Sequence, residues 1–300
     1  MLRKRYAPVG SRPGTLMIPE SAIRTQVSGI HFDSSYAQQF QIGPEEFADE
    51  GEAFSKLREF LSKDKCVTWV DIYGLGDETV LRGLSEVFGL HTLTLADIVN
   101  VPQRPKLEEY DTYLFAVTSM VQVRDGIIVD PEQVGIVIGR NYVLTFQERD
   151  GDVLDPLRER ILTGKGVVRK NGADYLGYCV IDAVIDGYFP VLEEFGEALL
   201  ELEEDVIQSP TRETLAEIYR AKRDLLALRR SLWPMREALN SLIRDKSAHV
   251  KKPTQTFFRD VYGHTVELLD TVETYRELAS SFMDIYLSTT SNRLNEVMKV

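Results

Sequence analysis

The sequence predicts an α+β or α/β protein, with an N-terminal mixed-sheet α/β/α layered domain, then a helical hairpin and a very long C-terminal stalk helix. Segments rich in β-branched and aromatic residues recur up to residue 147, with turn signals between them. From Leu154 onward these strand patterns stop. After Gly263 the chain has no glycine or proline, and apolar residues recur at steps of three and four, which is typical of one helix face.

We therefore divide the chain into three parts: a mixed α/β domain over residues 1–165, an acidic antiparallel helical hairpin over 166–252, and a long stalk helix over 253–300. In the first part, strands are predicted at residues 16–18, 27–32, 40–42, 67–72, 113–123, 127–129, 132–138 and 142–147. Asp125-Gly126 and Arg140-Asn141 mark tight turns between the last strands, so the sheet is partly antiparallel.

Helices separate the earlier strands. One begins at Pro44, one covers residues 53–61, one lies between the capping Asp77 and Gly89, and one covers 91–100, before a loop punctuated by prolines. Four more are predicted at 154–163, 172–207, 211–246 and 254–300. Pro190 is expected to kink the second of these, and residues 209–211 form the turn of the hairpin.

The last helix would be roughly 70 Å long at ~1.5 Å per residue, which exceeds most globular domains. It reaches the final Met-Lys-Val with no stop signal, so we expect it to continue in a longer protein. No run of about 18 apolar residues is present, so we expect no membrane span within these residues.

Composition narrows the function classes. The net charge of −12 argues against nucleic acid as a partner and is compatible with cation binding. Cys66 and Cys179 lie in apolar contexts and are interpreted as reduced core residues. The sequence has no phosphate loop, no Gly-x-Ser-x-Gly motif and no complete dinucleotide fingerprint, so an enzyme is not expected.

Carboxylates are the candidate ligands. Asp182 and Asp186 lie one turn apart in an otherwise apolar helix, Asp97 lies in Leu-Ala-Asp-Ile-Val, and Asp260 lies near the start of the long helix. Each alone is more often a cap or an ion-pair partner, but brought together such oxygen ligands suit Mg²⁺ or Ca²⁺. The acidic stretch 193–205 is interpreted as a solvated helix face, and the four scattered histidines as surface or structural residues.

The order of several motifs matches a known family. They are Pro-Gly-Thr-Leu near residue 15, Trp-Val-Asp-Ile-Tyr-Gly from Trp69, the segment from His91 through Leu-Ala-Asp-Ile-Val-Asn-Val-Pro-Gln-Arg-Pro-Lys, Phe-Gln-Glu from Phe146, Ala-Asp-Tyr-Leu from Ala173, Leu-Trp-Pro-Met-Arg-Glu from Leu232, Phe-Arg-Asp-Val-Tyr-Gly-His-Thr from Phe258, Tyr-Leu-Ser from Tyr286, and Ser-Asn-Arg-Leu-Asn-Glu-Val-Met-Lys-Val from Ser291. On these motifs the chain resembles the cytoplasmic part of CorA-type magnesium channels.

The resemblance implies the cytoplasmic regulatory domain of a channel for Mg²⁺, and also Co²⁺, in the inner or cell membrane. It implies a homopentamer anchored by membrane helices that would follow Val300. Regulatory Mg²⁺, which Ca²⁺, Co²⁺ or Zn²⁺ could replace, would lie between subunits, with Asp97 of one chain facing Asp260 of the next. Asp182 matches a carboxylate of a second site.

Two departures from the family pattern bear on that second site, because Ala96 stands where the family usually has an acid and Thr92 where it has proline. The resemblance also assigns pore-facing positions to Asp284, Asn295 and Met298. Two alternatives stay open: the zinc-transporting branch of the same family, and a helical scaffold that docks proteins and transports nothing.

Overall fold

The computed structural model describes residues 7–47, 52–124, 127–128 and 131–298. Its strands are β1 (Gln26–Phe32), β2 (Ala37–Ile42), β3 (Val67–Tyr73), β4 (Lys106–Glu109), β5 (Leu114–Met120), β6 (Val123–Arg124), β7 (Ile127–Ile128), β8 (Glu132–Ile138) and β9 (Tyr142–Gln147). Its α-helices are α1 (Glu52–Leu61), α2 (Glu78–Phe88), α3 (Thr92–Val99), α4 (Asp155–Thr163), α5 (Ala173–Asp186), α6 (Tyr188–Gln208), α7 (Arg212–Asp245) and α8 (Lys252–Met298).

Seven strands form one mixed sheet in the order β2-β1-β3-β9-β8-β5-β4. β3 and β9 run parallel, and the other neighbouring pairs are antiparallel. Successive side chains of a strand point to opposite faces, so Trp69 enters one core and Val70 the other. Because both faces are covered, the central strands are nearly continuous apolar runs rather than alternating ones.

Helices cover both faces of the sheet. On one face, apolar residues of α1, α2 and α3 pack against the strands. On the other face, α4 and α5 pack against the sheet, and the same hydrophobic cluster continues into α6, α7 and α8. The predicted class, a mixed-sheet α/β/α domain with long helices after it, is therefore confirmed. The division at residues 165 and 252 stays a prediction, because this cluster is continuous across both positions.

The long helices pack through one apolar side each. α6 and α7, the predicted hairpin, are joined by residues 209–211, and the Thr211 hydroxyl caps the first turn of α7. α8 lies against α5, α6 and α7. Its buried residues, among them Phe258, Val261 and Phe282, face these helices, whereas Leu278 and Leu287 are exposed. α8 has 47 described residues and is therefore about 70 Å long at ~1.5 Å per residue.

Two details of the prediction were wrong. Residues 16–18 are not a strand, because the Met17 amide donates to the side chain of Asn100 rather than to a neighbouring strand. The strand β4 was not predicted; it begins at Lys106, the last residue of the predicted proline-punctuated loop. The predicted helix 172–207 is interrupted at Gly187, one turn before Pro190, as expected for a proline that lacks the amide to bond the carbonyl of Asp186 and whose ring crowds that carbonyl. The predicted turn residues Asp125 and Gly126 lie outside the described residues.

One segment bears on the expectation that nothing here spans a membrane. Within the part of the chain that the structure describes, Ala173–Gln208 is long and apolar enough to cross a bilayer by length and composition. However, 61% of its most apolar stretch is buried inside the fold. Core helices of soluble proteins pass the same test, so the segment is weak evidence for a span. Its apolar character is accounted for by its packing against the sheet and α8.

Arg158 of α4 ties the helical side of the fold to the sheet. Its guanidinium forms ion pairs with Asp71 of β3 and with Asp152, at 2.5 Å for the latter, and lies over the Trp69 ring at 5.3 Å. Burial raises the pKa of Asp71. Burial acts in the same direction on Asp152, but the bonds from Arg158 lower the pKa of that carboxyl below its ordinary value. The charges of two buried carboxylates, Asp71 and Asp152, are therefore balanced by the single guanidinium of Arg158.

We expect Arg158→Met to lower the free energy of unfolding by about 3 kcal/mol, because it leaves Asp71 and Asp152 buried without their counter-charge. Arg160→Met is the matched control, since Arg160 is exposed on the same helix and has no ion pair within the described chain. It should change stability by no more than about 0.5 kcal/mol. Urea denaturation checks both variants, and equal stabilities would refute the role given to Arg158.

Candidate metal centre

Two pairs of polar residues meet where α5 packs against α8. Asp182 and Asp186 are four residues apart in α5, and Asp260 and His264 are four residues apart in α8, so each pair shares one face of its helix. The two helices are in direct contact. As a result, side chains that are 78 residues apart in the sequence, Asp186 and His264, form a hydrogen bond.

The geometry is that of a small ligand cluster. Possible ligand atoms of Asp182, Asp186 and His264 all lie within 4.8 Å of one another. His264 Nδ1 lies 3.0 Å from Asp186 Oδ1, and Tyr178 Oη donates to Asp182 Oδ2 at 3.3 Å. The ring of Phe189 packs edge-on against His264, with ring centroids 5.7 Å apart. Aromatic neighbours therefore hold the imidazole and one carboxylate in place.

The electrostatics of the cluster favour a cation. Burial is the largest cause that raises the pKa of Asp182, from its ordinary value of 3.8 to about 6. The negative charges of Asp186 and Asp260 raise this pKa further. A divalent ion would relieve both effects, since it neutralises the carboxylates and replaces the hydration that burial removes.

The donor set is mixed. Two carboxylate groups are hard oxygen ligands that suit Mg²⁺, which keeps several of its own waters when it binds to proteins. The imidazole nitrogen of His264 is a softer ligand that suits Co²⁺ and Zn²⁺ better. The three side chains could therefore hold a hydrated Mg²⁺ through the carboxylates alone, or a transition-metal ion through all three.

Asp97 lies elsewhere, in α3. Its carboxylate accepts a charged hydrogen bond from Lys106 Nζ at 2.7 Å, and Lys106 also pairs with Glu108. The side-chain amide of Gln133 donates to the backbone carbonyl of Asp97 at 2.9 Å. Within the described part of this single chain, Asp97 is not a member of the cluster that contains Asp182. Its predicted partnership with Asp260 of a neighbouring subunit stays a prediction.

The predicted pore residues all fall on α8. Asp284 is exposed, as a pore-facing residue of an assembled stalk would be in an isolated chain. Asn295 and Met298 lie in the last turns of the helix, but the side chains of residues 294–298 are not described. The pore-facing role of the three residues stays a prediction.

The sequence interpretation named Asp182 and Asp186 as candidate carboxylate ligands but missed His264, which it treated as a surface or structural residue. A usable signal was present. An acidic residue and a second possible ligand recur four positions apart on two separate helices, at Asp182 and Asp186 and at Asp260 and His264. Only the packing of α5 on α8 shows that the two faces meet.

The raised pKa of Asp182 makes a pH dependence testable in metal-free buffer. Because its folded-state pKa of about 6 exceeds the ordinary value of 3.8, the folded chain binds this proton more tightly than the unfolded chain. The contribution of Asp182 to stability is therefore fully present below about pH 4 and is lost as the pH rises through about 6. Asp182→Asn should remove this loss.

The measurement is urea denaturation between these pH values in the presence of a chelator, since other groups also titrate and only the difference between variants isolates Asp182. Asp270→Asn, an exposed aspartate of α8, is the control and should leave the pH dependence of the wild type unchanged. Parallel curves for wild type and Asp182→Asn would contradict the raised pKa.

Comparison with known proteins places the chain in a family. Residues 64–300 match the family described as CorA-like Mg2+ transporter protein. The cobalt/magnesium transport protein CorA of Thermotoga maritima is 40% identical, over 99% of this chain and 83% of that protein. The soluble domain of CorA from Methanocaldococcus jannaschii superposes with a TM-score of 0.69 at 24% identity, over 89% of this chain and 97% of that one.

The cytoplasmic domain of ZntB from Vibrio parahaemolyticus has the same fold, with a TM-score of 0.66 at 17% identity, over 88% of this chain and 98% of that one. At these identities the solved structures establish the fold alone. The family match covers more than half of the chain, and the Thermotoga relative matches nearly all of it. The chain therefore belongs to the CorA-like Mg²⁺ transporter family.

Proposed function

We propose that this chain is the cytoplasmic, cation-sensing part of a homopentameric channel that carries Mg²⁺ and Co²⁺ across the cell membrane. One observation carries the proposal: in a chain of this family, two carboxylates and an imidazole converge where α5 meets the long helix α8. Family membership supports transport of divalent cations and is consistent with a protein that is not an enzyme.

The proposed sensing mechanism uses repulsion between carboxylates. Mg²⁺ at regulatory sites, with Ca²⁺, Co²⁺ or Zn²⁺ as possible replacements, neutralises Asp182 within one chain and bridges Asp97 to Asp260 of the next subunit. When the ion leaves, these acids repel and the contacts that hold the pore shut weaken. Such a switch requires that the ion binds the closed assembly more tightly than the open one. The pore itself would run along α8, past Asp284, Asn295 and Met298.

Lys106 would compete with an ion for Asp97 at the proposed bridging site. It already neutralises Asp97 in the isolated chain, at 2.7 Å. Lys106 is partly exposed and also reaches Glu108, so it can stay with Glu108 while Asp97 turns to an ion. The bridging ion must therefore compete with one lysine, which keeps its affinity modest. Modest affinity suits an ion present at high concentration inside cells.

We expect millimolar Mg²⁺ to raise the melting temperature and protease resistance of the chain and to shift it toward a larger assembly, because an ion that binds only the folded state stabilises it by mass action. Asp97→Asn combined with Asp260→Asn should abolish both the protection and the shift. Differential scanning fluorimetry, limited proteolysis and size-exclusion light scattering measure the three effects.

Asp270→Asn is the matched control, because it removes one exposed carboxylate from the same helix as Asp260. It should respond to Mg²⁺ like the wild type. If protection survives in the double variant, Asp97 and Asp260 are not the sensor. If the wild type shows no response to Mg²⁺ at all, the scaffold alternative replaces the proposal.

His264 favours a second candidate, transport of a transition-metal ion such as Zn²⁺. The prediction found no histidine cluster to support it, but the structure brings one imidazole to within 4.8 Å of two carboxylates. This donor set is more suited to Zn²⁺ or Co²⁺ than to Mg²⁺. Mg²⁺ stays the first proposal because carboxylates outnumber the imidazole at the cluster.

The variant His264→Gln distinguishes the two candidates, because a transition-metal ion is expected to use the imidazole as a ligand and Mg²⁺ is not. If all three side chains hold a transition-metal ion, the variant should weaken Co²⁺ and Zn²⁺ binding by roughly tenfold or more and leave Mg²⁺ binding nearly unchanged. His249→Gln, whose imidazole instead contacts the Tyr110 carbonyl, is the control. Calorimetric titration with each ion decides between them, and an equal loss for every ion would refute the ligand role of His264.

A further inference from the structure

A cleft of about 840 Å³ lies between α7 and the loop that joins α3 to β4. Its position and residues are separate from the cluster at α5 and α8. The volume falls within the range of sites for small molecules, which is roughly 300–1,000 Å³. Its walls combine apolar surface, much of it from prolines such as Pro105 and Pro234, with a concentration of arginines. Five arginines line it: Arg104, Arg220, Arg223, Arg229 and Arg230.

Three of these arginines form one stripe on α7. Arg220, Arg223 and Arg230 fall on a line with Ala227 and Pro234, at successive steps of three and four residues. The three arginines are exposed, whereas Leu225, Leu228 and Leu232 of α7 are buried in the hydrophobic cluster that also contains apolar residues of α8. The three arginines therefore line one wall of the cleft and are not part of this buried cluster.

The charges of the cleft are poorly balanced. Arg229 pairs with Glu273, at 2.5 Å. In contrast, the other four arginines make no ion pair with any residue that the structure describes. Two carboxylates, Glu148 and Asp224, also line the cleft. Among the residues that the structure describes, four guanidinium groups without an ion pair and two carboxylates line the cleft, which gives this lining an excess of positive charge in a protein whose net charge is −12.

The arginines of α7 repel one another, and an anion bound in the cleft would relieve this repulsion. Like charges three or four residues apart on a helix repel and reduce helix stability. Guanidinium groups bind phosphate oxygens through two parallel hydrogen bonds, which makes arginine the side chain suited to this ligand. The faces of Trp233 already contact Arg229 and Arg236, at 4.9 and 4.1 Å, so the apolar contact for a ligand comes from the prolines.

We propose that this cleft binds an organic anion that carries phosphate groups, with the phosphates on Arg104, Arg220, Arg223 and Arg230 and an apolar part on the prolines. The same chemistry could come from a soluble nucleoside diphosphate or triphosphate or from the headgroup of an anionic phospholipid. Neither source depends on the proposed metal function, and binding can be measured without any divalent ion.

Calorimetric titration of the 300-residue chain in a chelator tests the proposal, with ADP as the soluble probe and phosphatidylglycerol vesicles as the lipid probe. Binding of either probe supports the site and identifies its source. Adenosine, which lacks phosphate, should not bind, and citrate, which carries only carboxylates, should bind more weakly. Failure of both phosphate probes, or equal binding of adenosine or citrate, would overturn the assignment.

The decisive variant is Arg220→Gln with Arg223→Gln, which should weaken binding of the phosphate probe by roughly tenfold or more, since hydrogen bonds to charged groups are worth about that much each. Arg212→Gln with Lys222→Gln removes the same charge from the same helix outside the cleft and should bind like the wild type. Equal losses in both pairs would mean a non-specific charge effect. A change in assembly without loss of probe binding would assign the arginines to contacts between chains instead.

Discussion

The close packing of α5 between the sheet and α8 is the constraint on which the rest of the structure depends. A side chain at Gly177 would clash with Ile138 of β8, so only glycine lets α5 lie this near the strands. On its opposite side α5 meets α8. One helix thus connects the α/β domain to the long helices through a single hydrophobic cluster. The position of Asp182 and Asp186 against His264 is a result of this packing.

The layered architecture was predictable because its signals are local and repeated. Buried strands such as β3 and β8 are apolar runs bounded by turn residues, and Asp77 and Gly89 mark the two ends of α2 as the sequence suggests. The errors fall where pairing with a neighbouring strand, rather than the local sequence, determines the secondary structure. β4 is a charged edge strand that exists through its pairing with β5, and residues 16–18 lack such a partner although their side chains suit a strand.

The candidate site was predictable in its residue types and less so in its membership. An aspartate among apolar residues is conspicuous, so Asp182, Asp97 and Asp260 were recognised from their sequence context. The family resemblance added the pairing of Asp97 with Asp260 between subunits. His264 was not recognised, because a single histidine forms no repeating pattern in the sequence. Its possible role as a ligand becomes visible only when another helix brings acidic side chains beside it. The arginines of α7 show the same limit, since their spacing is visible in the sequence but the wall opposite them is not.

The membership of the cluster at α5 and α8 has a consequence for how ions and subunits would cooperate. Asp182, Asp186 and His264 belong to one chain, so an ion held there has an affinity that does not depend on protein concentration. An ion shared between Asp97 and Asp260 of separate chains would bind more tightly as the chains become more concentrated. Occupancy of the site within one chain would then depend only on the free ion concentration. Occupancy of the site shared between chains would depend on both the ion concentration and the degree of assembly. A dilution series could separate the two behaviours within one preparation.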